Sequence, residues 1–168
     1  SVFAFAAFSK LSTTGSSFVA TSPITELYKS HGYPEILGSL DDEIMYINEI
    51  KNPRASASKS GIYSADTILV PLEDGDRAEI LSRSGKNIIT IDLNPLSRTS
   101  KMSDVSIVDN VVRAIPFMTK IAGDLLTQDK ELLKEIIEDF DNKTNLEESL
   151  KLIKEDIKWE KHDLYQAY

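Results

Sequence analysis

Continuous apolar runs, spaced apolar positions and polar stretches divide this chain into zones with different periods. The run Thr67–Leu72 is continuously apolar, which predicts a strand buried on both faces of a parallel sheet. Pro71 falls near its end, where a missing N–H harms a ladder least. Asn87–Leu93 and Val105–Val108 predict two more strands. Between the first two, Glu73-Asp74-Gly75-Asp76 reads as a turn, and a short helix runs to Gly85. Asp76 and Glu79 are spaced as a capping box at its start. Asn94–Asp104 reads as a long loop. After the third strand, Asp109 or Asn110 caps a helix with apolar residues at Val111, Ile115, Met118, Ile121 and Leu125. Pro116 would kink that helix or mark its first full turn.

Upstream, Ile24, Leu27 and Tyr28 have helical spacing and Gly32 sits where the helix would stop. A short strand fits Glu35–Leu37, residues 41–60 are ambiguous, and Asn52–Ser60 reads as a loop. Downstream, residues 127–168 predict two surface helices. One gathers Leu132, Leu133, Ile136, Ile137 and Phe140 on a face, the other Leu146, Leu150, Ile153 and Ile157. Thr144 with Glu147 has the spacing of a capping box. The β-α-β-loop-β-α order, with right-handed crossovers, predicts one parallel sheet. The expected fold is α/β: a three-layer Rossmann-like domain at 23–126, followed by an acidic C-terminal helical hairpin at 127–168. That hairpin could cover a sheet edge or mediate self-association.

Residues 1–22 carry a single charge, Lys10, among many Ser and Thr, and are expected to be a poorly structured remnant. A first residue of serine suggests a chain cut at its N-terminus. The 168 residues suit one domain. There is no cysteine, which excludes disulfides and thiolate metal sites, and the two histidines lie far apart in sequence. Net charge is −8, with thirteen acidic against seven basic side chains after residue 123. A basic nucleic-acid footprint is therefore missing, and a phosphate ligand would have to be held by local groups. No apolar run approaches a membrane span, and the longest near the start, Val2–Phe8, lacks a basic flank. A cytoplasmic protein is expected.

Ligands of open α/β sheets bind outside the carboxyl ends of the strands. Three polar segments fall there: Glu73 to Arg77, Asp92 to Thr99, and Asp109-Asn110. Asp92 ends an apolar strand, where a carboxylate often accepts from ribose hydroxyls. Asn94 offers donor and acceptor. Ser97, Arg98 and Thr99 place two hydroxyls around a guanidinium that suits phosphate oxygens. Asn110 lies at a helix start, which favours an anion. Capping alone would equally explain Asp76, Asp109 and Asn110, and Arg98 could pair with a surface carboxylate. Neither G-x-x-x-x-G-K-[ST] nor G-x-G-x-x-G is present. These residues alone lead to a Rossmann-like domain with a nucleotide pocket.

Four ordered runs carry more. They are Gly61 to Asp66 (GIYSAD), Val70 to Arg77 (VPLEDGDR), Ile91 to Thr99 (IDLNPLSRT) and Ile107 to Pro116 (IVDNVVRAIP). Together they resemble the archaeal phosphopantothenate synthetase family, the 4-phosphopantoate–β-alanine ligases of coenzyme A biosynthesis, over roughly residues 24–126. The resemblance implies ATP-dependent activation of 4-phosphopantoate as an acyl-adenylate, with pyrophosphate released. Attack by β-alanine would then give 4′-phosphopantothenate and AMP. It implies ATP contacts at Asp92, Leu93, Asn94, Arg98, Thr99, Asn110 and Val111, with Arg98 and Asn94 as catalytic residues. Asp74, Asp76 and Arg77 are expected on the substrate side, where an aspartate could also orient Mg2+. A homodimer is implied, with small-molecule substrates and neither nucleic acid nor membrane as partner. The family's Gly-rich N-terminal region has no match in residues 1–22. The alternative reading is therefore a truncated, inactive nucleotide-binding or interaction module.

Overall fold

The computed structural model describes residues 3–5, 26–27, 29–32, 37, 43–47, 55–71 and 75–156. Four parallel strands form the main sheet: β1 (Phe3–Phe5), β4 (Thr67–Pro71), β5 (Asn87–Ile91) and β6 (Val105–Ile107), side by side in that order. A second sheet pairs β2 (Ile44–Tyr46) with β3 (Ser56–Ser58), antiparallel. Helices α1 (Gly75–Arg83), α2 (Arg98–Met102) and α3 (Val111–Leu125) follow β4, β5 and β6 in turn. The hairpin is α4 (Lys130–Asp139) and α5 (Asn142–Asp156). This is the expected α/β Rossmann-like arrangement. Among the described residues, no helix is long and apolar enough to cross a membrane.

The period of two along the strands sorts the core onto two faces. Ile68, Val70 and Ile88 pack with Leu81 of α1, with Ala57 of the small sheet and with Ile47 and Ala55 beside it. Leu69, Ile89, Ile91 and Ile107 meet Ala114, Ile115 and Met118 of α3. Thr90 is fully buried in the central strand, and its hydroxyl donates to the Val70 carbonyl at 2.7 Å, so the buried polar atom is satisfied. Pro71 closes β4, where its missing N–H interrupts no further rung.

Several expectations change in the structure. Phe3–Phe5 pairs with Thr67–Leu69, so a strand stands where a poorly structured stretch was expected, while residues 6–25 lie outside the described ones. Within the expected loop Asn52–Ser60, Ser56–Ser58 is a buried strand. Its residues are small, with Ala57 in the core cluster that includes Leu81, and they produce no hydrophobic signal. The expected loop Asn94–Asp104 contains α2, whose buried residues are Thr99 and Ser100, so no apolar period announced it. Asp76 does not precede α1 but lies inside its first turn. Asp141, not Thr144, caps α5: Thr144 N–H and Oγ1 donate to its carboxylate at 2.8 and 2.6 Å. Pro116 lies within a continuous α3, and it and Val112, whose carbonyl an N–H at position 116 would have met, are both exposed to water. The expected strand Glu35–Leu37 (apart from Leu37), the helical positions Ile24 and Tyr28, the turn residues Glu73 and Asp74, and Ile157 lie outside the described residues. Gly32 and Gly85 both adopt positive φ (86° and 80°), as helix-stop glycines do.

The hairpin is tied to the outer edge of β6. In a parallel strand alternate residues turn both backbone groups to the same side. Ile107 faces β5 and accepts from Asp92 N–H at 3.0 Å, so Ser106 faces outward. Asn142 Oδ1 accepts from Ser106 N–H, and Asn145 Nδ2 donates to the Ser106 carbonyl, both at 2.8 Å. Asn142 Nδ2 also donates to the carbonyls of Ser100 and Ser103, at 3.1 and 2.8 Å. Two side-chain amides thus replace a further strand and blunt the edge.

Replacing Asn142 by Ala should cost about 1–3 kcal/mol in denaturant unfolding, because it orphans part-buried backbone groups. Lys143→Ala on the same turn, exposed, should stay within about 0.5 kcal/mol; equal costs would refute the amide tie. The Thr144 hydroxyl, then its N–H, hold the Asp141 carboxyl below its ordinary value. A depressed folded value means the cap is fully present above the ordinary carboxylate pKa, about 4. It is lost as pH falls through the lower folded value. Amide exchange at Thr144 should therefore speed up in acid, and Asp141→Asn should remove that pH dependence.

Candidate functional site

The register of the parallel ladder decides which loops become neighbours. Pro71 is opposite Ile91 and Ile91 is opposite Ile107, so β4, β5 and β6 end level. The segments that follow them begin α1 at Gly75, lead through Asp92–Ser97 into α2, and begin α3 at Val111. All three lie along one carboxyl rim, the usual ligand position in such a sheet.

Asp92 organises the middle segment. Its Oδ1 accepts from Asn94 N–H at 2.9 Å and its Oδ2 from the Ser97 hydroxyl at 2.6 Å. Asn94 Oδ1 accepts from Leu96 N–H at 2.9 Å, and the Asn94 carbonyl accepts from Ser97 N–H at 3.0 Å. These are turns closed by Asx side chains, which Asp and Asn favour for that reason. Ser97 in turn caps α2, accepting from Ser100 N–H at 3.0 Å. Pro95 is buried, while Leu93 and Leu96 stand exposed at the rim.

Arg98 leaves this segment toward α1. Its Nη1 donates to Asp76 and its Nη2 to Glu79. Of the trio Ser97, Arg98 and Thr99, only Arg98 is exposed. The Ser97 hydroxyl is turned to Asp92, and Thr99 is buried. Arg77 is buried in α1. Asp74 lies outside the described residues. On the third segment, Asn110 Oδ1 caps α3 by accepting from Val112 N–H at 2.9 Å. Asp109 pairs with Arg113 one turn on, and that side-chain bond, then the Asn110 N–H, hold its carboxyl below the ordinary value.

The structure therefore brings Asp92, Leu93, Asn94, Arg98, Thr99, Asn110 and Val111 to neighbouring strand ends, with Asp76 beside Arg98. Sequence reasoning missed Glu79 as a partner of Arg98. Its only signal was the capping-box spacing, which was assigned to the helix start. Among the described residues, no group of three or more His, Asp or Glu is placed to hold a metal ion. A hollow of about 310 Å³ lies at the α4–α5 junction, lined by Asp139, Phe140, Asp141, Thr144, Asn145 and Glu148. Its three carboxylates would repel a polyphosphate.

A family model described as phosphopantothenate/pantothenate synthetase matches residues 19–156. The chain is 47% identical over 135 residues to a 4-phosphopantoate–β-alanine ligase of Methanosarcina mazei, covering 80% of this chain and 52% of that protein. It is 43% identical over 125 residues to the Thermococcus kodakarensis protein of that name, covering 74% and 47%. The Thermococcus onnurineus protein of the same name is 48% identical over 101 residues, covering 60% and 39%. The chain thus spans about half the length of the curated relatives it matches.

Ser97→Ala removes both the α2 cap and the contact to Asp92. It should lower stability by about 0.5–2 kcal/mol and speed amide exchange at Ser100; unaltered exchange at Ser100 would contradict the capping geometry.

Proposed function

Because the chain belongs to the phosphopantothenate/pantothenate synthetase family, we propose that its strand-end rim binds ATP for the ligation of 4-phosphopantoate to β-alanine. The observation that carries this reading is the level ending of β4, β5 and β6, which aligns the Asp76, Asp92–Arg98 and Asn110 segments. ATP activates the substrate carboxylate as an acyl-adenylate and releases pyrophosphate. The β-alanine amine then attacks the acyl carbon, expelling AMP and giving 4′-phosphopantothenate.

Each rim residue has a role consistent with its surroundings. Asp92, held by Asn94 N–H and Ser97, is pre-set to accept from ribose hydroxyls. Leu93 is exposed and offers an apolar face to the base. Asn94 provides an amide beside the reacting groups, and Arg98 brings permanent positive charge to the polyphosphate. Thr99 has a buried side chain and acts through its main chain. Asn110 and Val111 present the positive end of the fifteen-residue α3. On the substrate side, Arg77 supplies charge from behind the rim, with Asp76 and Asp74 as further candidates. The described residues do not form a cage for Mg2+: Asp76 meets Arg98, Asp92 is bonded within its loop, and no acidic triad is assembled. Holding both substrates in line supplies much of the remaining rate. A homodimer is part of the same proposal.

A calorimetric titration should show ATP binding, weakened about ten- to hundredfold by Arg98→Ala with the fold retained. With 4-phosphopantoate and β-alanine present, the nucleotide product should be AMP; ADP would exclude the adenylate route. Binding without product would leave the chain as a nucleotide-binding module.

A further inference from the structure

The nucleotide reading gives no role to Gly75 or Glu79, which with Asp76 form the side of α1 that surrounds Arg98. Gly75, Asp76 and Glu79 share that side, as spacings of three and four residues require. Asp76 and Glu79 each take one terminal nitrogen of Arg98. Glu79 is the more enclosed partner, its side chain 15% exposed against 40% for Asp76 and 55% for Arg98. Its other oxygen meets Arg83 at 2.5 Å, so the carboxylate is held from two directions. Gly75 is equally specific. A Cβ there would stand 2.6 Å from Arg98 Cβ and 3.0 Å from its Cγ and Cδ, so any side chain would displace the arginine stem.

We propose that Gly75, Asp76 and Glu79 form a cradle that pre-positions the Arg98 guanidinium for the ATP polyphosphate, with Glu79 as its principal positioning residue. The inference rests on the reading above, in which Arg98 meets the nucleotide. A free arginine loses much rotamer freedom when it binds, and fixing it beforehand removes that cost from the binding step. The guanidinium has more N–H donors than two carboxylate contacts consume, so a phosphate can join without displacing either partner. The supporting shell of a site commonly works in this way, by holding a contacting group in its productive orientation.

The test is an ATP titration by calorimetry on the 168-residue chain. It compares the wild type, Glu79→Gln, Arg98→Ala and the double variant. Glu79→Gln should weaken ATP binding about tenfold and add nothing when Arg98 is already Ala. Gly75→Ala should weaken binding in the same direction by pushing the stem aside, and it carries the test if Glu79→Gln does not fold. An unchanged affinity overturns the cradle. Tighter binding overturns it too, because the carboxylates would then be a latch that phosphate must displace. Equal losses with and without Arg98 would mean a merely structural role for Glu79. A wild-type chain that binds no ATP refutes the nucleotide reading and the cradle with it, whereas wild-type binding with a silent Glu79→Gln refutes the cradle alone.

Discussion

Parallel pairing sends every strand's carboxyl end to the same edge, and in this chain the pairing register makes three of those ends level. Pro71, Ile91 and Ile107 are opposite one another across β4, β5 and β6. Everything proposed for the rim depends on that ladder. The ladder in turn depends on strands apolar on both faces: Ile68, Val70 and Ile88 toward α1, Leu69, Ile89 and Ile91 toward α3. A one-residue slip would exchange the two packed faces, misfit side chains chosen for different neighbours, and stagger the strand ends. Burial in the strands thus enforces the alignment of the mostly polar segments that follow them.

The polar groups around the ladder are arranged by short-range satisfaction. Asp92, Asn94 and Ser97 close a loop whose turns would otherwise leave backbone groups unpaired, and Ser97 starts α2. Asn142 and Asn145 satisfy the outward face of Ser106 and join the hairpin to the sheet. The hairpin is therefore part of the fold's edge. Its apolar face is less committed: Ile136, Ile137, Phe140 and Leu152 remain exposed, and among its described residues only Leu146 is buried. The acid-rich composition of this region has its counterpart in Asp141, whose ionised form caps α5.

Much of the architecture was legible beforehand because its signals are local and apolar. The strands at 67, 87 and 105, a helix start at Asp109 or Asn110 and the hairpin helices follow from runs and periods that burial imposes directly. Where small or polar residues fill the interior, the signal vanishes. Ser56, Ala57 and Ser58 build β3, and Thr99 and Ser100 line the buried side of α2. Hydrophobic patterning cannot register such positions, since their burial is decided by what packs against them. Of the candidate site, the rim residues were legible as strand-end polar words. Glu79 was not, because its spacing from Asp76 has a sufficient local explanation.

By itself the sequence determined the α/β order, the parallel sheet and the set of polar residues that must follow its strands. These are consequences of periodicity and chain connectivity, which need no coordinates. Only the tertiary structure decided that Arg98 turns to Asp76 and Glu79 and that two asparagines finish the sheet edge. Those choices join residues separated by many positions along the chain. Their partners become neighbours only after the strands have paired, so no local pattern can encode them.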